Sequence, residues 1–215
     1  MPSVAVIDYG MGNLHSISKA LQYAEPDVNI FLTSDAETIL AADRVVFPGV
    51  GGIRDCMQAL EKHQLKPVIN EVATTKPFLG ICLGMQALLS NSEENEGIDC
   101  LNIIPGHVHR FPKNRTDSQG DKLKIPHMGW NNVNQENNNH PLWAKIPQHS
   151  RFYFVHSYYV NPDDPHVSAA TTDYPEAFSC ALKHKNIFAV QFHPEKSQTV
   201  GIQLLQNFLH WDGTN

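Results

Sequence analysis

The stretch that most constrains this chain is residues 76–89, KPFLGICLGMQALL. A short apolar run, 77–81, suits a buried strand, and Leu83, Gln86, Ala87 and Leu88 then recur at helical spacing. The change falls at Cys82, held between Gly80 and Gly84. A G-x-C-x-G turn between strand and helix is the thiol form of a nucleophile elbow, in which small flanking residues permit a strained turn that presents the side chain. The helix start beyond it would favour thiolate over thiol, and the Leu83 N–H would face a developing oxyanion. By itself the pattern equally fits an inert core cysteine, so the rest of the chain has to decide.

The first half repeats the strand-to-helix change. Residues 4–7 form a β-rich run ending at Asp8, and an apolar-periodic segment follows through Ala20, Leu21 and Ala24. Residues 29–32 read as a second strand, with Ser34 and Glu37 as a capping box for a helix through Ile39 and Leu40. Residues 44–47 give a third strand running into PGVGG, 48–52, ahead of helical stretches at 53–61 and 65–73. This alternation predicts an α/β fold: a mainly parallel sheet with helices on both faces and a ligand site at the carboxyl ends of the strands. Asp8, Pro48 and Cys82 each follow a strand, so the glycine-rich loop and Cys82 are expected to be neighbours. Gly10 and Gly12 suggest a dinucleotide fingerprint, but His15 fills the third glycine position. A tight turn with Asn13 near a helix N-cap explains that segment, and no cofactor is expected.

The second half has another rhythm. Short β-type runs at 103–108, 130–133, 152–155, 167–172, 178–182 and 187–191 are expected to pair partly antiparallel. A closing helix over 199–211 places Val200, Leu204, Leu205 and Phe208 on one face. With 215 residues, 41% of them hydrophobic, and no convincing linker or repeat, residues 1–215 are expected to form one domain. A net charge of −6 gives no reason to expect a nucleic-acid partner. Arg110, Lys113, Arg115, Lys122 and Lys124, set against Asp117 and Asp121, read as a solvated loop. Cys56, Cys82, Cys100 and Cys180 form no C-x-x-C pair, which speaks for a reducing compartment and against a zinc knuckle. His107 and His109 form an H-x-H pair with no carboxylate or cysteine at suitable local spacing, so no metal site is expected. The start, MPSVAVIDYG, lacks a signal-peptide pattern, and no run approaches the ~20 apolar residues of a membrane span. A cytoplasmic chain with no membrane partner is expected.

The last β-type run ends in VQFHPEKS. On extended backbone, residues i and i+2 share a side, and Pro194 holds His193 away from helical geometry. A cysteine nucleophile needs a base, and the base needs a partner that orients its ring and supports its charge. His193 and Glu195 offer both roles, although a surface His–carboxylate pair is the plain alternative.

Together, GICLGMQ (80–86) and QFHPE (191–195) resemble the signatures of class I, or triad-type, glutamine amidotransferases. Within that family, DYGMGN (8–13), PGVG (48–51), PHMGWN (126–131) and FYFVHSY (152–158) resemble the glutaminase subunits of imidazole glycerol phosphate synthases. The similarity spans nearly the whole chain. It implies a flavodoxin-like class I amidotransferase fold with additional antiparallel strands in the second half. It also implies that Cys82 attacks L-glutamine to form a thioester, that His193 moves the protons, and that Glu195 orients His193. The implied oxyanion hole uses the N–H groups of Leu83 and of the Val50 and Gly51 region. Implied glutamine contacts are Gln86, Glu94, His156, Ser157 and Tyr158. The ammonia would pass to a separate (β/α)8-barrel cyclase subunit, in a heterodimer, which makes imidazole glycerol phosphate and an aminoimidazole carboxamide ribonucleotide in histidine synthesis. Met128 and Trp130 fit either anchors for that partner or core residues.

Three other readings stay open at this point. One is a paralogous triad glutaminase feeding a surface-sugar amidination pathway. Another is a non-catalytic amidotransferase-like scaffold. The glutaminase of pyridoxal phosphate synthesis is the third, and PHMGWN and FVHSY argue against it.

Overall fold

The computed structural model describes residues 2–112, 116, 122–136 and 139–214. Parallel strands need a crossover to return the chain to the same end of the sheet, and the helical segments provide it. In chain order come β1 (Ser3–Ile7), α1 (Leu14–Ala24), β2 (Asn29–Thr33), α2 (Ala36–Ala41), β3 (Arg44–Gly49), α3 (Ile53–Lys62), α4 (Leu65–Thr75) and β4 (Phe78–Cys82). The four strands lie parallel in the order β2-β1-β3-β4. β4 is buried along its whole length, as expected for a strand covered on both faces. Its side chains alternate between two cores: Leu79 and Ile81 pack with α1 and the final helix, and Phe78 packs with α3 and α4 on the other face.

After β4 the chain makes the one-turn α5 (Leu83–Gln86), then β5 (Asn91–Ser92), β6 (Ile98–Asp99), β7 (Gly106–Arg110), β8 (His127–Asn132) and β9 (Asn134–Gln135). There follow β10 (Arg151–His156), β11 (Tyr158–Pro162), β12 (Ser168–Asp173), β13 (Ala177–His184), β14 (Ile187–Val190) and α6 (Gln198–His210). β14 returns parallel beside β4, and the sheet then continues antiparallel through β13 and β11 to β7. β8 and β10 pair antiparallel as a separate ribbon. The architecture is the mixed α/β class expected, mainly parallel at its centre and antiparallel beyond β14.

Several local expectations are corrected. The α2 cap is Asp35, not Ser34: its carboxylate accepts from the Thr38 N–H at 2.8 Å. Asn13 sits at the N-cap position of α1, yet its side chain makes no capping bond. The helical pattern after Cys82 stops at Gln86 because the carbonyls that would continue it are taken from elsewhere. Ala87 O accepts from Leu101, Leu88 O from Ile103 and Ile104, and Leu89 O from Asn102. The same contacts explain why 103–105 is not strand and β7 begins at Gly106. β11 was not expected at all, since Tyr158–Pro162 shows no clean alternation. Of the basic stretch, Arg110 ends β7, Lys122 and Lys124 are described, and Lys113, Arg115, Asp117 and Asp121 lie outside the described residues. Among the described residues no helix is long and apolar enough to cross a membrane.

Candidate active site

Cys82 ends β4 with φ +54° and ψ −108°, the strained elbow that the flanking glycines suggested. For a residue with a β-carbon such a conformation costs on the order of 1–3 kcal/mol, so the surroundings must hold it. They do so by close approach: a Cβ at Gly84 would strike the Phe47 carbonyl, so α5 can seat on β3 only with glycine there. The β3–β4 register pairs Gly49 with Cys82, which brings the 48–52 loop beside the sulfur. Within that loop Gly51 takes φ +102°, open to glycine and strained for other residues.

His193 is held by its backbone, as the N-cap of a 3-10 turn over Pro194–Lys196 and not on the extended chain expected, since β14 already ends at Val190. Its N–H donates to Tyr153 O at 2.9 Å, its carbonyl accepts from Ser197 Oγ at 2.6 Å, and the Tyr153 N–H donates to the same Oγ at 3.0 Å. The ring Nδ1 lies 2.9 Å from Glu195 Oε1, with only 2% and 3% of the two side chains exposed. Nε2 of His193 and Oε2 of Glu195 make up two of the four buried side-chain nitrogen and oxygen atoms left without a hydrogen bond among the described residues. Buried polar atoms are rarely left so, and such exceptions concentrate where chemistry is done. Burial alone drives the ring toward neutrality, but Cys82 and then Glu195 outweigh it and raise His193 to about 10. The ring is therefore an imidazolium at neutral pH. Nδ1–H donates to Glu195, and Nε2 is left for Cys82, the neighbour that does most to raise the ring.

A cavity of about 340 Å³ opens over this pair. Cys82, His193, Leu83, Val50 and Gly51 line it, and so do Gln86, Glu94, His156, Ser157 and Tyr158. Glu195 is not in that wall; it touches a smaller space behind His193, shared with Asn13 and Pro48. Glu94 reaches the rim from the turn after β5, where its Oε2 accepts from the Ile53 N–H at 3.1 Å, the first residue of α3. Gln86 spends both amide protons on the protein, to Tyr158 O at 3.1 Å and to Gln191 Oε1 at 3.0 Å, which leaves Oε1 for the cavity. Both ring nitrogens of His156 are also engaged, Nδ1 with Tyr158 O at 2.7 Å and Nε2 with His127 Nδ1 at 2.9 Å. Burial pushes His156 down to about 3 and His127 to about 4, so both rings are neutral at pH 7.

Sequence reasoning did not weigh His127, Gln191 or Ser197. The first two stand inside the motifs PHMGWN and QFHPE and were legible there as polar residues among apolar ones. Ser197 carried no signal beyond its closeness to His193. His107 and His109 are held by Asn91 and Glu93, at 2.8 and 2.7 Å. Glu93 is a carboxylate that the pairing of β5 with β7 brings alongside, although it is distant in sequence.

A cysteine on a strained strand-to-helix elbow, beside a histidine braced by a buried carboxylate, has the parts that thiol-dependent hydrolysis or acyl transfer requires. The chain belongs to the glutamine amidotransferase class-I family, whose model matches residues 5–211. Along its length it is 60% identical to imidazole glycerol phosphate synthase subunit HisH of Methylococcus capsulatus, over 99% of this chain and 98% of that protein. It is 58% identical to the protein of the same name from Nitrosococcus oceani, over the whole of both, and 54% identical to that from Pseudomonas putida, over 99% of each. Among solved structures, a putative GMP synthase component from Thermoplasma acidophilum aligns with a TM-score of 0.68 at 21% identity, covering 98% of this chain and 93% of that one. A structure described as glutamine amidotransferase aligns at 0.70 and 14%, covering 96% and 97%. These last two share the fold.

Proposed function

We propose that this chain is the glutaminase subunit of an imidazole glycerol phosphate synthase, and that Cys82, His193 and Glu195 are its catalytic triad. The observation that carries the reading is the His193 ring, braced by the buried Glu195 carboxylate at 2.9 Å and sharing the wall of one cavity with Cys82. The Cys82 thiolate attacks the side-chain amide carbon of L-glutamine. The oxyanion is met by the Leu83 N–H and by an N–H of the Val50 and Gly51 region; one such donor is worth ~10²–10³ in rate. His193 Nε2–H passes its proton to the leaving nitrogen as the C–N bond breaks, giving ammonia and a thioester. Water then adds, His193 takes its proton, the C–S bond breaks, and glutamate leaves with thiolate and imidazolium restored. In this reading Gln86 Oε1, Glu94 and the chain at Ser157 and Tyr158 hold the ammonium and carboxylate of the substrate, and His156 shapes the wall.

The ammonia needs an acceptor, and the HisH relatives are named subunits of a synthase. The partner in this reading is a separate (β/α)8-barrel cyclase in the cytoplasm. β8 offers it an anchor: Met128 is 61% and Trp130 37% exposed, which favours docking over core packing for both. Docking at β8 and the glycines of the 48–52 loop give the partner a means of reshaping the oxyanion hole, so the chain alone is a poor glutaminase. The test is glutamate release from L-glutamine, alone and with a histidine-pathway cyclase plus its ribonucleotide. A large rise on adding both is expected. High activity of the isolated chain, unchanged by the cyclase, would overturn the coupling.

A further inference from the structure

One wall of the cavity contains a hydrogen-bond chain whose direction is fixed at each step. The Tyr158 carbonyl can only accept, so His156 Nδ1–H and one Gln86 Nε2–H both donate to it, at 2.7 and 3.1 Å. His156 is neutral, so its Nε2 must accept, and His127 Nδ1–H donates at 2.9 Å. His127 Nε2 then accepts from Asn131 Nδ2 at 3.3 Å. On the other limb the second Gln86 Nε2–H goes to Gln191 Oε1 at 3.0 Å. With its oxygen occupied, the Gln191 amide turns Nε2 toward Cys82, 3.6 Å from Sγ. The backbone of Gln191 is pinned as well, its N–H donating to Cys180 O at 2.9 Å, and the residue is wholly buried.

A hydrogen bond to a charged acceptor is roughly twice as strong as one between neutral groups, so an N–H aimed at this sulfur favours thiolate over thiol. We propose that Gln191 is a third functional partner of Cys82, a fixed amide donor that holds the sulfur and stabilises its thiolate. Gln86 and the Tyr158 carbonyl keep that amide in its donating orientation. The proposal rests on the reading of Cys82 as nucleophile. Gln191 does not line the 340 Å³ cavity, so its effect falls on the sulfur and not on glutamine binding. Other titratable groups around Cys82 are His193, with Glu195 behind it, Tyr9 just after β1, and Glu94, His156 and Tyr158 in the wall of the same cavity. The Tyr9 hydroxyl is committed to Pro48 O at 2.9 Å.

The test is alkylation of Cys82 by iodoacetamide across pH in the full chain, read by peptide mass spectrometry so that Cys56, Cys100 and Cys180 are scored apart. Gln191→Met keeps the length and removes the donor. The pH of half-maximal labelling should rise by about one unit, from the usual worth of a hydrogen bond to a charged group. Gln191→Glu, which sets a carboxylate against the sulfur, should move it further. Turnover of glutamine should fall about tenfold in kcat with KM little changed, whereas a merely structural role would lower the melting temperature and leave the labelling profile in place. If Gln191→Met does not fold because Gln86 is left with an unpaired proton, Gln86→Leu/Gln191→Met removes both ends and should give the same shift. An unmoved labelling profile in either folded variant overturns the proposal. Iodoacetamide is not a substrate, so the shift stands or falls separately from glutaminase activity: a shift without glutamate release would sink only the proposed function, and release with an unmoved profile only this inference.

Discussion

His193 and His156 border the same cavity and are almost equally buried, at 2% and 6% exposed, yet their neighbours shift them in opposite directions. Burial pushes both toward neutrality. His193 has Cys82 on one side and Glu195 on the other, and is raised to about 10. His156 has only a backbone carbonyl, offset by two other histidines, and falls to about 3. Desolvation is therefore common to both sites, and the charge of the neighbours decides which ring is an imidazolium and which a neutral relay. The first suits proton transfer to a leaving amine. The second suits a rigid wall that must keep one tautomer.

The comparison can be broken most drastically at its charged member. Cys82→Ala and His193→Ala should each lower glutamate production on the order of 10⁴-fold or more, as single triad deletions do. Activity near the wild-type rate in either would remove that residue from the mechanism. Glu195→Gln preserves shape and removes charge, and a loss of about 10²–10⁴ in kcat is expected. The His193 ring signal in NMR sharpens the point. In the wild type the ring should stay protonated through neutral pH, and in Glu195→Gln or Cys82→Ala it should titrate lower. The sign for stability follows: the contribution of His193 is complete below pH ~6.5, the ordinary value, and is lost as pH rises toward about 10.

The neutral pair has the reverse dependence. The unfolded chain takes up protons near pH ~6.5, while the folded rings do so only near 4 and 3, so stability should fall as pH drops through that window. His127→Phe should make thermal unfolding less sensitive to pH between 6.5 and 4; an unchanged slope would contradict neutral burial. The smallest effect lies outside the cavity. Trp130→Ala should weaken cyclase binding about tenfold, the loss of one exposed aromatic anchor, and leave glutaminase activity of the isolated chain unaltered.

The parts of the fold that were legible from sequence are those encoded locally. The β1 to β4 alternation needs only runs of Val, Ile and Phe followed by helical spacing, and the elbow needs only Gly80, Cys82 and Gly84. His193 and Glu195 were legible as candidates from their residue types two positions apart, but not from the extended geometry expected: Pro194–Lys196 form a 3-10 turn capped by His193, and that turn brings Glu195 Oε1 to the ring. What was not legible depends on distant partners. The helix after Cys82 ends early because carbonyls at 87–89 are captured by 101–104, and no local propensity records that. β11 is strand because β7 and β13 flank it, not because its own pattern alternates. The Gln191 contact to Cys82 spans 109 positions and the His127–His156 bond 29, so neither could be read from spacing. The α2 cap was misplaced by one residue because Ser34 and Asp35 are both good N-caps and only the backbone chooses between them.

The most direct test of the triad is covalent. A glutamine-analogue electrophile should inactivate the chain with one label per molecule, on Cys82, and labelling should slow sharply in His193→Ala while Cys56, Cys100 and Cys180 stay unmodified. Inactivation with the label on another residue, or with Cys82 intact, would contradict the account.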